Sequence, residues 1–553
     1  VHEARRPWSR WEAALAGALG LATLAARWAQ RSRTPYTVDS VLFSLAAERY
    51  DVMALRPHPP GYPLFVAVGK ALLPAVGGDP NAAFVLESAL FSAVAVSALY
   101  VLVRQWGSVR AALAAALLFA VAPSFAFNGT VALSYTAEAA AGIVVALLAW
   151  RVATKPTPGT LVGLGAAWAL GVGIRQSLFL FLAPLVGLAL LGLPADWRGL
   201  PRRAAVAGSA SLAAALAWFL PMAAATGGVA EWRRATRLQG DQVVFADAVW
   251  RRGAVAFTEH WDRLAFFLHW EAGFLLPTLA LLAGAGWLVR RRRRAPEEPG
   301  PWPPGAGLLL AAWLAPALLF YLLVFDGWER GPIGYVLTLL PGLYAGGVLL
   351  ADHGLRRLAG AQRTPAMARG LGAVGLVLLL LPLPSLAAQA NHLVDGEARA
   401  HDRWAEAWQR LESDYSPDDT AILTWQSWSH VEWAFPDYLA WTYFPSYKVP
   451  GQTDWALVFA MRHHEQEGRF IEMYMEGPGR PDHPIPPEVR TIVLFDFQLA
   501  GENGEPRRLD PAVAVEESHL SNGWRVLLVH PDAAHPTVES LFTPEAFGPP
   551  TIH

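Results

Sequence analysis

Two carboxylates, Asp39 and Glu138, are the residues from which chemistry is most readily built. Asp39 stands early in the stretch Thr37–Phe65, just ahead of a short amphipathic run, Ser40–Tyr50. Glu138 ends the sequence Ala132-Leu133-Ser134-Tyr135-Thr136-Ala137-Glu138, about one turn inside an apolar helix. A positioned carboxylate can take a proton from an attacking hydroxyl. The bland role for Asp39 is an N-cap, its oxygen accepting backbone N–H bonds at a helix start. An acid as deep as Glu138 is costly unless it faces a cavity or a partner. Its bland role is an ion pair with an outer arginine such as Arg175. Between the two acids lies His58-Pro59-Pro60-Gly61-Tyr62-Pro63, a rigid turn by composition. His58 offers a donor to an anion, or is simply a turn histidine set before prolines.

The elements that must carry these residues are membrane helices. Of 553 residues, 54% are hydrophobic and 16% charged, with mean hydropathy +0.28. Repeated apolar runs near the roughly 20 residues that span hydrocarbon make a polytopic membrane protein. The 24 Trp suit membrane-interface belts. The chain has no cysteine, which excludes disulfides, thiol chemistry and Cys-based zinc or iron–sulfur sites.

The basic segment His2–Arg10 is expected in the cytoplasm, and Trp11–Trp28 is expected to stay as a first span and anchor. Arg31–Gly61 is then external. Within it Ser40–Tyr50 reads as a helix lying in the interface plane, with Val41, Leu42, Leu45 and Ala46 on one face. Gly61–Val76 is apolar but short, holds Lys70 and is read as a second interfacial or re-entrant helix. Ten further spans follow, beginning with Ala82–Val103, Ala111–Phe125 and Tyr135–Trp150 and ending with Gly334–Leu350 and Gly370–Ala388. That gives about eleven transmembrane helices. Their cytoplasmic turns then hold Arg104 and Arg110, Arg198 to Arg203, Arg290–Arg294 and Arg356 to Arg363, in keeping with the positive-inside rule. Basic residues that remain outside, among them Arg56, Lys70, Arg175 and Arg330, suggest an anionic ligand at the outer interface, or contact with lipid headgroups.

From Asn391 onward the spans stop and acids outnumber bases by more than two to one. Short β-rich runs such as Thr420–Thr424 and Trp524–Val529 alternate with helix-like stretches, which predicts a soluble extracytoplasmic α/β domain over residues 390–553. Residues 1–389 form the membrane domain, with external interfacial helices at 39–76. His463 and His464 point about 100° apart on a helix and make a poor metal site. Trp425, Trp428 and Trp433 are expected to pack in a core rather than to stack on sugars.

The arrangement of Asp39, two interfacial helices and Glu138 is similar to that of GT-C membrane glycosyltransferases, the superfamily of protein O-mannosyltransferases and aminoarabinose transferases. Asp39 matches the acid early in the first external loop. Glu138 stands where many members carry Asp or Glu in the next. Pro59-Pro60-Gly61-Tyr62 resembles the turn into the second interfacial helix. Gly173-Ile174-Arg175-Gln176 resembles the external basic turn, and Arg330-Gly331-Pro332-Ile333-Gly334-Tyr335 the late helix entry. The resemblance covers roughly Trp11–Leu350.

The resemblance implies a sugar donor on a polyprenyl phosphate, an acceptor hydroxyl on a glycan, lipid or protein, and no nucleic acid. Asp39 would be the base, and displacement in one step would invert the anomeric centre. His58, Tyr62, Lys70, Arg175 and Arg330 would bind substrate, the arginines best through paired N–H donors. Glu138 would orient the acceptor or help hold a divalent cation, Mg or Mn, though no metal is demanded. The expected place is the outer face of a cytoplasmic membrane, with a cytoplasmic N-terminus. Two other readings fit a polytopic chain: a transporter or flippase for lipid-linked substrates, which would usually show inverted repeats, and an inactive GT-C scaffold.

Overall fold

A computed structural model describes residues 9–272, 284, 302–325, 334–359, 365–424, 427–445, 456–461, 484–495 and 509–542. They fall into two units, each made of three chain segments. The first comprises 1–33, 62–224 and 243–399; the second comprises 34–61, 225–242 and 400–553. The segment that carries Asp39 therefore groups with the C-terminal residues.

The first unit is helical. Helix α1, Arg10–Ala29, starts at a capping box in which Ser9 and Glu12 satisfy each other's backbone N–H groups. The region 34–61 holds α2, Val38–Glu48. Back in the first unit, α3, Pro63–Leu72, continues as a 3-10 turn, Leu73–Val76. Then come α4, Pro80–Trp106; α5, Val109–Ala120; and α6, Pro123–Asn128. Next are α7, Tyr135–Thr154; α8, Pro158–Ile174; α9, Ser177–Leu191; and α10, Leu200–Ala225. Further helices cover Ala254–Ala272, Ala306–Leu323, Leu340–Ala359, Pro365–Leu380 and Leu383–Leu393.

Two expected spans are broken. Ala111–Phe125 divides into α5 and α6 ahead of Pro123, which cannot supply the N–H that a continuous helix needs. Gly370–Ala388 divides at 381–382, again beside a proline. Among the described residues, five helices are both long and apolar enough to cross a membrane, including α4, α7, α10 and Ala306–Leu323. Helix α3 is shorter than a span.

Several arginines assigned to cytoplasmic turns are also tied down. Arg104 Nε is 2.6 Å from Glu12 Oε1, and Arg110 and Arg356 both reach the buried Asp352. Helix α3 lies close on α4 at Gly69, where a Cβ would come within 2.1 Å of the Phe84 ring.

The second unit contains a six-stranded mixed sheet. Its strands are β1, Thr420–Thr424; β2, Leu439–Pro445; β3, Ala456–Met461; β4, Thr491–Phe495; β5, Val515–His519; and β6, Arg525–Val529. The order is β3-β2-β1-β4-β6-β5, with β1 parallel to both β2 and β4 and the outer pairings antiparallel. Alternate residues serve opposite faces. Leu423, Leu494 and Leu527 pack into one apolar cluster, while Ile422, Val493 and Leu528 join Trp408 and Phe435 in the other.

Candidate active site

Asp39 is not an N-cap. Thr37 holds that position, without a side-chain cap bond, and Asp39 is the second residue of α2. An acid in the first turn is favoured by the helix dipole. The Asp39 side chain is 34% exposed, and its Oδ1 lies 3.4 Å from His58 Nδ1. The His58 ring, 13% exposed, also lies 5.8 Å from that of Phe43.

The loop folds back on itself to make this pair. Asp51 Oδ1 accepts hydrogen bonds from the N–H groups of Met53 and Ala54, which turns the chain. Asp51 and Arg56 then exchange backbone bonds of 2.6 and 2.8 Å. Tyr50 donates its hydroxyl to the carbonyl of Gly61 at 2.8 Å. Burial raises the Tyr50 phenol above its ordinary range, so it remains a donor.

In the first unit, Arg175 is the centre of a second cluster. It is the C-cap of α8, where the extended backbone turns toward α9. Its Nε lies 3.1 Å from Glu138 Oε2, and Nη1 donates to Ser134 Oγ at 3.1 Å. Ser177 Oγ donates to Glu138 Oε1 at 2.8 Å. Glu138 is fully buried in the first turn of α7. The guanidinium also lies over three tyrosine rings, 4.4 Å from Tyr135, 5.2 Å from Tyr335 and 5.7 Å from Tyr62. Such rings attract a cation through their negative faces.

Tyr62 earns this place by its backbone. It adopts φ 45° and ψ 47°, a left-handed conformation uncommon outside glycine, at the entrance to α3. Gly334 lets the second ring approach, since a Cβ there would fall 2.0 Å from Tyr135 Cδ2. Tyr321 fixes the third by donating its hydroxyl to the carbonyl of Tyr335 at 2.6 Å.

The structure thus gathers Glu138, Arg175 and Tyr62 in one unit, and Asp39 with His58 in the other. The ion pair considered for Glu138 is formed. Lys70 is exposed on α3 and has no partner among the described residues. Arg330 lies outside the described residues, as do Trp425, His463 and His464. Other external basic residues have acidic partners in the protein: Arg49 with Asp51, Arg56 with Glu432, and Arg252 with Asp247 and Glu259.

Tyr135, Tyr335, Ser134 and Ser177 escaped the sequence reading as members of the arginine cluster. Tyr135 stands three residues before Glu138, on the same helical face, which was a usable signal. Tyr335 carried none beyond its neighbourhood to Arg330. Among the described residues, no three His, Asp or Glu side chains are placed to hold a metal ion.

Residues 57–224 match the family model described as dolichyl-phosphate-mannose-protein mannosyltransferase. No curated protein sequence matches the chain. Among solved structures, ArnT from Cupriavidus metallidurans in the apo state is similar at 16% identity, over 93% of this chain and 97% of that one, with a TM-score of 0.49. The archaeal oligosaccharyltransferase AglB from Archaeoglobus fulgidus is similar at 13% identity, over 94% and 74%, with a TM-score of 0.44. The arabinofuranosyltransferase AftD from Mycobacteria is similar at 14% identity, over 96% and 40%, with a TM-score of 0.45. The family match takes in His58, Tyr62, Lys70, Glu138 and Arg175, and over that segment the chain is similar to glycosyltransferases.

Proposed function

We propose that the protein moves a sugar from a polyprenyl-phosphate carrier to an acceptor hydroxyl, with inversion, at the outer face of a cytoplasmic membrane. One observation carries the assignment of the base. Of the two acids, Asp39 is reachable at 34% side-chain exposure, whereas Glu138 is sealed at 1% by Arg175 and Ser177. A group that must receive a proton from a substrate has to be accessible to it.

In the reaction, Asp39 takes the acceptor's proton as its oxygen bonds to the anomeric carbon. The bond from that carbon to the phosphate oxygen breaks, and polyprenyl phosphate leaves with the electron pair. A single displacement inverts the centre. His58 holds the Asp39 carboxylate or donates to the departing phosphate. Lys70 and Arg175 stabilise the phosphate's growing charge. The described contacts of Arg175 occupy Nε and Nη1, which leaves Nη2 for a ligand. Glu138 orients Arg175 and neutralises it while no substrate is bound. The family's description, which names dolichyl-phosphate-mannose, supports a donor of this chemical class.

Mass spectrometry of lipid extracted from the purified protein tests the donor class. Polyprenyl phosphate, free or glycosylated, is the expected companion. An extract of bulk phospholipid alone contradicts the proposal.

A further inference from the structure

The C-terminal residues of the second unit grip the loop that carries Asp39, and they do so at both of its ends. At the start, three consecutive residues are held. Thr34 donates both its backbone N–H and its hydroxyl to Asp402 Oδ1, at 3.0 and 2.8 Å. Pro35 has no N–H, and its carbonyl meets His401 Nε2 at 2.8 Å and His430 Nε2 at 3.0 Å. The Tyr36 ring stands edge-on to His401 at 5.6 Å. Asp39 follows three residues later.

At the far end, Arg56 Nη2 lies 2.5 Å from Glu432 Oε1, and the Arg56 side chain is only 6% exposed. Trp232 also donates its indole N–H to the carbonyl of Pro60 at 3.0 Å. Between the ends, α2 packs on the helix Trp428–Ala434, which supplies both His430 and Glu432.

The two histidines show that this grip is specific. A carbonyl oxygen has two lone pairs, so two N–H donors saturate it. Both rings must then carry a proton at Nε2. Burial lowers the proton affinity of each ring, and for His430 the neighbouring His401 adds to the effect, so both remain neutral donors. Trp404 wedges against both rings, 5.2 Å from His401 and 6.0 Å from His430.

We propose that the C-terminal domain sets the position of the catalytic carboxylate, with His401, Asp402, His430 and Glu432 as its positioning residues. This rests on the reading of Asp39 as the base. Near-attack geometry is steep in its demands: a displacement of about 1 Å can lower turnover about 100-fold. The grip leaves the Asp39 carboxylate itself uncovered. Loosening it therefore lowers kcat more than it raises KM.

The test uses the full-length protein in lipid nanodiscs with dolichyl-phosphate mannose as donor. Asp402→Ala removes the acceptor for Thr34, while Asp402→Asn keeps an oxygen in its place. The expected result for Asp402→Ala is a fall in kcat of about tenfold or more with KM within about twofold. Hydrogen exchange over residues 37–48 should rise in the same variant. Asp402→Asn should restore both. Glu432→Ala, with Glu432→Gln as its conservative control, repeats the test at the other end should Asp402→Ala fail to fold. Unchanged exchange over 37–48, or unchanged kcat, in folded Ala variants overturns the inference. A wild-type protein that consumes no donor overturns the reading of Asp39 instead, and the exchange measurement still decides whether these residues hold the loop.

Discussion

Glu138 Oε2 and Arg175 Nε stand 3.1 Å apart, with side-chain exposures of 1% and 11%. A buried pair of this kind is weak evidence for stability, but breaking it leaves a lone charge in a low-dielectric setting. Glu138→Gln should therefore destabilise the first unit by about 3–5 kcal/mol. Arg175→Gln should cost a similar amount, and the double variant less than the sum of the two. Thermal unfolding in detergent measures all three. Fully additive losses would contradict a direct pairing.

Arg175→Lys is a sharper test of what the cluster does. An ammonium has the charge but not the planar fork that reaches Glu138, Ser134 and the tyrosine rings together. Transfer should fall by at least about tenfold while the protein stays folded, because an ammonium cannot hold Glu138 and Ser134 and still present a donor to the phosphate. Wild-type turnover in this variant would remove Arg175 from the phosphate role.

Gly69→Ala should loosen α3 from α4. The new Cβ would sit 2.1 Å from Cε1 of Phe84, a ring with no solvent exposure and hence little room to yield. Overpacking of this sort costs about 1–3 kcal/mol. A melting temperature equal to that of the wild type would show that α3 shifts freely. That would be at odds with a fixed Lys70 and Tyr62.

The histidine pair gives the second unit a pH dependence of known sign. Burial depresses both rings, His430 to about 3, below the ordinary histidine value near about 6.5. The unfolded chain then binds protons that the folded chain refuses. Stability is complete above about pH 6.5 and is lost as the pH falls toward the folded values. Asp402, beside His401, opposes the shift of that ring only in part. His530 works the other way, since its hydrogen bond to Glu516 raises it, but it is exposed. The low-lying Asp414 and Asp532 act only under more acidic conditions. Unfolding of the second unit at pH 7.5 and pH 5 measures the net effect, with a lower melting temperature expected at pH 5. His430→Gln, which keeps an N–H donor, should flatten the difference. Equal melting at both values in the wild type would contradict the neutral pair.

Much of this was written locally in the sequence. The short α3 was legible because Pro63 and the glycine-rich 77–78 bracket it. Arg175 and Glu138 were legible as partners because each stands at one end of an apolar helix, Glu138 in the first turn of α7 and Arg175 at the C-cap of α8. Asp39 as an N-cap was a fair inference from its type, but Thr37 two residues earlier is an equally good helix starter and took the position. The breaks ahead of Pro123 and at 381–382 were hidden by continuous hydropathy, which does not register a missing N–H. The tie between Pro35 and residues more than 360 positions later had no sequence signal at all. Contacts of that separation depend on how the chain folds back, and local pattern does not encode it.

The proposed reaction depends on the Asp39 carboxylate taking the acceptor's proton. Asp39→Asn keeps the shape of the side chain but cannot accept the proton. In membranes supplied with a polyprenyl-phosphate sugar, transfer should fall by about 100- to 10,000-fold with an unchanged melting temperature. Transfer at the wild-type rate would contradict it.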